Sequence, residues 1–182
     1  MTTALILVDI QNDYFPGGRM ELVGITEAGQ KAAELLAVFR DSNWPTFHIQ
    51  HVSARKGATF FLPDTRGIAI HDCIKPHSDE PVIQKFYPNS FRDTALLEEL
   101  KKAEIGQLVI CGAMSHMCID ATVRAAFDLG FKCQLIEDAC ATRDLEFGGR
   151  TIDARQVHGA FMAALGSAYA EVLALAEFKP SL

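Results

Sequence analysis

The chain has 182 residues, of which 49% are hydrophobic and 22% are charged, and its formal net charge is −6. This length is enough for one domain with a substantial core, and we interpret residues 1–182 as a single domain. The acidic balance argues against a surface that binds nucleic acid or an anionic membrane. No stretch approaches the roughly 20 apolar residues of a membrane span. Five cysteines without regular spacing favour reduced thiols in a cytoplasmic protein.

Apolar runs alternate with helical patterns along the chain. Residues 4–8 form a continuous apolar run, which is typical of a buried parallel strand. Further strands are predicted over 46–52, 81–84, 107–111, 132–136 and 171–173. Helices are predicted over 26–40, from a cap at Asp93 or Thr94 to Lys102, over 119–129 and over 151–165. This order predicts an α/β three-layer sandwich, with a mainly parallel five- or six-stranded sheet and helices on both faces.

Residues 53–81, which we call the long loop, contain few periodic signals and many Gly, Pro, Asp and His residues. A segment of this length with little secondary structure inside a compact domain is usually functional. We expect Phe60 and Phe61 to close over a site or to contact another subunit.

Three reactive residues follow predicted strands. Asp9 follows the first strand, Lys85 ends the strand after the long loop, and Cys118 follows the strand at 107–111. Because sites in open parallel sheets lie beyond the carboxyl ends of the strands, we expect the three to converge. Each residue also has an ordinary structural interpretation: Asp9 as a turn cap, Lys85 as a solvated lysine and Cys118 as a packing residue.

The position of Cys118 near the start of a predicted helix suggests a nucleophile. Unpaired backbone N–H groups and the helix dipole at that end stabilise a thiolate, and the same groups can hold an oxyanion. Asp9 would supply a base, and Lys85 would stabilise both charges. Such a set performs acyl transfer without a metal or an organic cofactor, so no cofactor is expected.

Four segments together resemble the isochorismatase-like cysteine hydrolase superfamily, which includes nicotinamidases and N-carbamoylsarcosine amidases. They are ALILVDIQNDYF at the start, KFYPNSF at 85–91, CGAMSHMCIDATVRAAFDLGF at 111–131 and the following LIEDACAT. Each segment alone is a weak signal, but the four occur in the family's order and spacing from Ala4 to Thr142. The resemblance implies a Rossmann-like topology and a homo-oligomer, either a dimer or a tetramer.

The resemblance also implies roles for individual residues. Asp9 would be the general base, Lys85 the charge-stabilising member and Cys118 the nucleophile. A cis peptide bond would join Ala113 to Met114, so that the N–H groups of Met114 and Cys118 share the oxyanion.

Metal binding is not expected. The Asp-x-His pair through which nicotinamidases of this family hold a metal is absent, because the matching positions are His51, Val52 and Ser53. His48 and His51 do not form a metal pair either, since residues three apart on a strand point to opposite faces.

The predicted activity is hydrolysis of a small-molecule amide through a thioester, because true isochorismatases of the family cleave a vinyl ether and need no cysteine. Two alternatives remain open: a vinyl-ether hydrolase in which Asp9 is the acid, and a non-hydrolytic protein in which Cys118 reacts with oxidants. Residues that adjoin the catalytic segments are candidates for the substrate pocket, although core packing explains them equally well: Phe15, Tyr87, Phe91, His116 and Met117.

Overall fold

A six-stranded sheet, in which every neighbouring pair of strands is parallel, forms the centre of the molecule. The computed structural model describes residues 2–179. The sheet order is β3-β2-β1-β4-β5-β8, and β6 pairs with β7 in a separate antiparallel hairpin. The strands are β1 (Thr2–Val8), β2 (Thr46–His51), β3 (Val82–Lys85), β4 (Ile105–Ala113), β5 (Lys132–Ala141), β6 (Leu145–Phe147), β7 (Arg150–Ile152) and β8 (Glu171–Leu173).

Four α-helices connect the strands: α1 (Ile25–Asp41), α2 (Leu96–Lys102), α3 (Asp120–Asp128) and α4 (Ala154–Gly166). The crossover through α1 moves across the sheet in one direction, and those through α2, α3 and α4 move in the other. Because such crossovers are right-handed, opposite directions place helices on opposite faces. The predicted α/β class with a mainly parallel sheet is therefore confirmed. Within residues 2–179, no helix is long and apolar enough to cross a membrane.

The core lies on both sides of the central strands. Residues 4–8 of β1 are fully buried, as the continuous apolar run predicts for a strand covered on both faces. In β3, burial alternates, so that Ile83 and Lys85 point inward between exposed neighbours. This alternation directs the ammonium group of Lys85 into the protein and not into solvent.

The sheet reverses its winding between β1 and β4. These strands are neighbours, with Val8 paired to Gly112, yet their crossovers lead to opposite edges of the sheet. Such a reversal leaves a crevice at the carboxyl ends of the two strands, where ligands bind in open α/β sheets. The segments that contain Asp9 and Cys118 begin at this crevice.

The structure differs from the predicted elements mainly after β4. β5 continues to Ala141 and not to residue 136, since its pairing with β4 shifts register and then resumes at Cys140. The predicted polar loop contains the β6–β7 hairpin, whose turn is Gly148-Gly149, both with positive φ. α4 begins three residues later than predicted, where the side chain of Asp153 accepts a hydrogen bond from the Arg155 N–H.

Candidate active site

Asp9 lies directly beyond β1 and is fully buried. Its backbone has a positive φ of 53°, which turns the chain sharply out of the strand. The Oδ2 atom lies 2.6 Å from Lys85 Nζ. Among residues 2–179, the Oδ1 atom has no hydrogen-bond partner although it is buried. One oxygen of the carboxylate is therefore held by an ammonium group, and the other is available to accept a proton.

Lys85 reaches Asp9 from two strands away, because β2 lies between β3 and β1. Its Nζ atom is 3.0 Å from His51 Nδ1 and also donates to the carbonyl oxygens of Tyr87 and Pro88. Burial alone lowers the pKa of Lys85, but the charge of Asp9 and the hydrogen bond to it outweigh burial and raise the pKa. Lys85 is therefore a buried cation with acceptors around it.

His51 lies beside this ion pair at the end of β2. Burial lowers the pKa of His51; Asp9 opposes this effect, whereas Lys85 and Arg55 add to it. The ring is consequently neutral, and its Nδ1 atom accepts a hydrogen bond from the ammonium group of Lys85. Sequence reasoning considered His51 only as a metal ligand and missed this contact, because the contact depends on the pairing of β2 with β3.

Cys118 lies in a π-helical turn, Ser115–Ile119, that precedes α3. Its side chain is almost completely buried. Burial raises the pKa of the Cys118 thiol; the charge of Asp9 raises it further, and the charge of Lys85 only partly opposes the rise. The expected thiolate at a helix N-terminus is thus corrected to a neutral thiol, because burial removes hydration from the sulfur and Asp9 places a negative charge beside it.

The turn between β4 and Cys118 has an unusual backbone. The peptide bond between Ala113 and Met114 is cis. The preceding Gly112 has a φ of 128°, and a Cβ atom there would overlap the carbonyl oxygen of Val8. Only glycine fits this close approach of β4 to β1. The N–H groups of Met117 and Ile119 both donate to the Met114 carbonyl, which closes the turn around Cys118.

A potential cation site coincides with the catalytic candidates. Ligand atoms of Asp9, His51 and Cys118 lie within 4.8 Å of one another. The ammonium group of Lys85 already contacts two of these residues, Asp9 at 2.6 Å and His51 at 3.0 Å. Lys85 therefore supplies the positive charge that this group of ligands would otherwise draw from a metal ion. His48 is bound elsewhere, with its Nε2 atom 2.9 Å from Glu80 Oε2.

A cavity of about 160 Å³ opens onto Cys118. Its walls are mainly aromatic and apolar, and Tyr14 and Phe61 contact each other with ring centroids 4.5 Å apart. The residues lining the cavity are Tyr14, His51, Ser53, Arg55, Phe60, Phe61, Phe86, Pro88, Met114, Met117 and Cys118. The long loop thus contributes Phe60 and Phe61 directly to the pocket.

The five residues proposed from the sequence for the pocket occupy different places. Met117 lines the cavity. Phe15 instead stacks on His71, with ring centroids 3.5 Å apart. Tyr87 is exposed beneath the Arg92 guanidinium, Phe91 packs against Phe131, and His116 Nδ1 lies 2.6 Å from Thr142 Oγ1. Proximity to the catalytic residues along the chain is therefore a poor guide to pocket residues, since neighbouring side chains leave a loop in different directions.

Tyr14, Ser53, Arg55, Phe86 and Pro88 line the pocket but were not predicted. Tyr14 is adjacent to Phe15, which was predicted to line the pocket. The sequence does not show which of two adjacent aromatic side chains points into a pocket. The 3-10 turn Asn12–Tyr14 buries Tyr14 and directs it into the cavity.

Comparisons with known proteins are consistent with this fold. A sequence model described as the isochorismatase domain matches residues 3–168. The isochorismatase family protein YddQ of Bacillus subtilis is 51% identical over 172 residues, covering 94% of this chain and 96% of YddQ. The ureidoacrylate amidohydrolase RutB of Acinetobacter baylyi is 27% identical over 171 residues, covering 76% of this chain and 70% of RutB.

A solved structure is also similar throughout. The crystal structure of an isochorismatase hydrolase from Oleispira antarctica has a TM-score of 0.93 and 50% sequence identity, covering 97% of this chain and 95% of the other. The domain match, the sequence identity and the shared fold lead to one conclusion: this chain belongs to the isochorismatase family and is a hydrolase of that family.

Proposed function

We propose that the protein hydrolyses a small amide through a thioester on Cys118. The observation that carries this proposal is the state of the Asp9 carboxylate. Its Oδ2 atom is bound to Lys85, while its Oδ1 atom is buried without a partner among the described residues. A carboxylate oxygen of Asp9 lies within 4.8 Å of the Cys118 sulfur. A buried base thus lies close to a buried thiol.

The raised pKa of Cys118 determines how the nucleophile forms. Because the resting thiol is neutral, its proton must leave as the sulfur attacks the substrate. Asp9 takes this proton, and the positive charge of the Lys85 ammonium group balances the negative charge of the site. Attack and proton transfer are therefore coupled, and no free thiolate accumulates before the substrate binds.

The reaction follows in two halves. The Cys118 sulfur forms a bond to the amide carbon, and the carbonyl oxygen becomes an oxyanion held by the N–H groups of Met114 and Cys118. The C–N bond then breaks, Asp9 returns its proton to the leaving amine, and a thioester remains. A water molecule next gives a proton to Asp9 and attacks the thioester. The C–S bond then breaks, Asp9 returns this proton to the departing sulfur, and the thiol is restored as the carboxylic acid product is released.

The family relationship supports amide chemistry. RutB is named as an amidohydrolase of ureidoacrylate, and it aligns with this chain over 171 residues. Bond cleavage by a cysteine, an aspartate and a lysine also needs nothing beyond the groups that line this site.

The test compares Cys118 with Cys111, the preceding cysteine in the sequence. Each of three proteins, wild type, Cys118→Ala and Cys111→Ala, is incubated with a library of small amides and examined by intact-mass spectrometry. We expect an acyl adduct and amine release for wild type and Cys111→Ala, and neither for Cys118→Ala. Cys111 is the matched control because it is a fully buried residue of β4.

Circular dichroism establishes that both variants remain folded. Amide turnover by folded Cys118→Ala at the wild-type rate would refute the thioester mechanism. An adduct located on a cysteine other than Cys118 would refute the assignment of the nucleophile.

A further inference from the structure

The electrostatic character of the pocket is set by one side chain of the long loop. Among the residues that line the cavity, Arg55 is the only one with a fixed charge. Within residues 2–179, no carboxylate lies at ion-pairing distance from its guanidinium group. Arg55 is an exposed residue at the edge of the cavity, and it is a cation without a carboxylate partner among the described residues.

The remaining groups do not cancel this charge. Asp9 is neutralised by Lys85 at 2.6 Å. Burial, together with the charge of Asp9, raises the pKa of Tyr14 well above its ordinary value, so the phenol is protonated. The carboxylate of Asp13 lies behind Phe61, where it accepts two backbone N–H groups, and it does not line the cavity. The cavity-lining residues and the Asp9–Lys85 pair thus have a net charge of about +1 at neutral pH. The whole chain, in contrast, has a charge of −6.

The lining of the pocket limits what this charge can bind. Apolar and aromatic side chains, including Phe60, Phe61 and Met114, form most of the surface. Arg55 itself is exposed, so water and salt weaken its attraction for an anion, and it is the cation available to a ligand at this edge of the cavity. The planar guanidinium group of arginine matches a carboxylate through two parallel hydrogen bonds. A cavity of about 160 Å³ admits only a small molecule.

We propose that the substrate is a small amide that also has a carboxylate group, and that Arg55 binds this carboxylate while the amide carbon meets Cys118. This inference rests on the proposed function, because it uses Cys118 as the reacting atom. It adds a specificity-determining residue and a substrate class: short monoamides of dicarboxylic acids and other amides of similar size with an acidic group.

The test uses two alkylating reagents of nearly equal size that differ in charge. Iodoacetate is anionic and iodoacetamide is neutral, and both transfer their carbon to a thiolate with loss of iodide. Rates at Cys118 are measured by peptide mass spectrometry, and the iodoacetate-to-iodoacetamide ratio is divided by the same ratio for glutathione. We expect a normalised ratio above one for wild type. Arg55→Gln should lower it by about three- to fivefold, the size of an ion pair at an exposed site.

Lys56→Gln is the matched control. Lys56 is adjacent in the chain and exposed, and its replacement changes the net charge by the same amount, but it does not line the cavity. Its ratio should equal that of wild type. Equal ratios for Arg55→Gln and Lys56→Gln would overturn the role of Arg55 and leave the proposed function intact. A normalised ratio of one or less for wild type would also overturn the carboxylate proposal, whereas the amide assay with Cys118→Ala tests the proposed function separately.

Discussion

Lys85 is the residue whose environment in the structure differs most from the one that the hydropathy of its sequence neighbours suggests. A lysine between Gln84 and Phe86 is ordinarily solvated, yet this one is fully buried. Its ammonium group holds Asp9 Oδ2 at 2.6 Å and leaves Oδ1 for the thiol. Its charge also lowers the pKa of Cys118, against the larger effects of burial and Asp9.

Replacing Lys85 by methionine should make Cys118 harder to ionise. Removal of the ammonium group eliminates a charge that lowers the Cys118 pKa, so the pH profile of iodoacetamide alkylation should shift upward by about one unit or more. At a fixed pH between about 7 and 9, the alkylation rate should fall at least about tenfold. The measurement is the Cys118 alkylation rate as a function of pH, by peptide mass spectrometry.

Lys101→Met is the control for this experiment. Lys101 is exposed on α2, and its replacement removes the same charge as the replacement of Lys85. Its profile should match that of wild type. Superimposable profiles for Lys85→Met and wild type would remove Lys85 from the catalytic set and leave a pair of Asp9 and Cys118.

At the scale of elements, the segment after β1 holds the long loop in place. The side chain of Gln11 donates to the carbonyls of His51 and Ile68, and the N–H of Asn12 donates to Ala69. Asp13, buried in the same segment, accepts the Phe61 N–H at 2.6 Å. One short stretch therefore positions both Asp9, the proposed base, and the aromatic wall of the pocket.

Asp13→Asn should loosen the loop around Phe61. The carboxylate accepts the Phe61 N–H on one oxygen and the Arg19 N–H on the other, and an amide offers only one acceptor atom. One of the two N–H donors then loses its partner, and at the buried Phe61 N–H this loss costs about 1–3 kcal/mol. Hydrogen exchange of residues 59–63 should accelerate, and the apparent affinity for substrate should fall.

Asp64→Asn provides the comparison, because Asp64 is an exposed residue of the same loop. Its exchange pattern should be that of wild type. Unchanged exchange around Phe61 in Asp13→Asn would mean that packing of Phe61 against Tyr14, and not the carboxylate, holds the loop.

For the whole molecule, Glu80 connects three separate parts of the fold. It accepts hydrogen bonds from Arg40 of α1, from the N–H of His77 in the long loop and from His48 of β2. Burial alone would raise the pKa of Glu80, but these hydrogen bonds and the charge of Arg40 lower it from 4.5 to about 2. The folded state consequently stabilises the ionised carboxylate of Glu80 more than the unfolded state does.

The sign of this shift predicts how stability depends on pH. A carboxyl group whose pKa is lowered by folding stabilises the folded state at pH values above its pKa in the unfolded chain. This stabilisation is lost as the pH falls to the pKa of the group in the folded state. Glu80→Gln should lower the free energy of unfolding by about 2 kcal/mol at pH 7. The difference from wild type should shrink below pH 4.5 and vanish near pH 2.

Urea unfolding of both proteins across this pH range measures the difference. Glu98→Gln, a change at an exposed position of α2, should leave stability unchanged. A constant difference between Glu80→Gln and wild type from pH 7 to pH 2 would show that the Glu80 carboxylate charge does not contribute.

The sequence by itself determined the α/β class and the order of the main elements. A short continuous apolar run such as residues 4–8 favours a buried strand, because its length and the order of its residues are local properties of the chain. Strand ends also placed Asp9, Lys85 and Cys118 at one rim, since parallel strands share their carboxyl edge. Four motifs in order predicted the family.

Only the tertiary structure decided the protonation of Cys118, the path of Lys85 across β2 and the walls of the pocket. Each depends on contacts between distant segments: Lys85 and Asp9 are 76 residues apart, and Asp13 and Phe61 are 48 apart. The pKa of Cys118 was predicted in the wrong direction because a helix terminus is visible in the sequence, whereas burial is not. Desolvation arises from every element packed around the sulfur, and together with the charge of Asp9 it raises the pKa of Cys118.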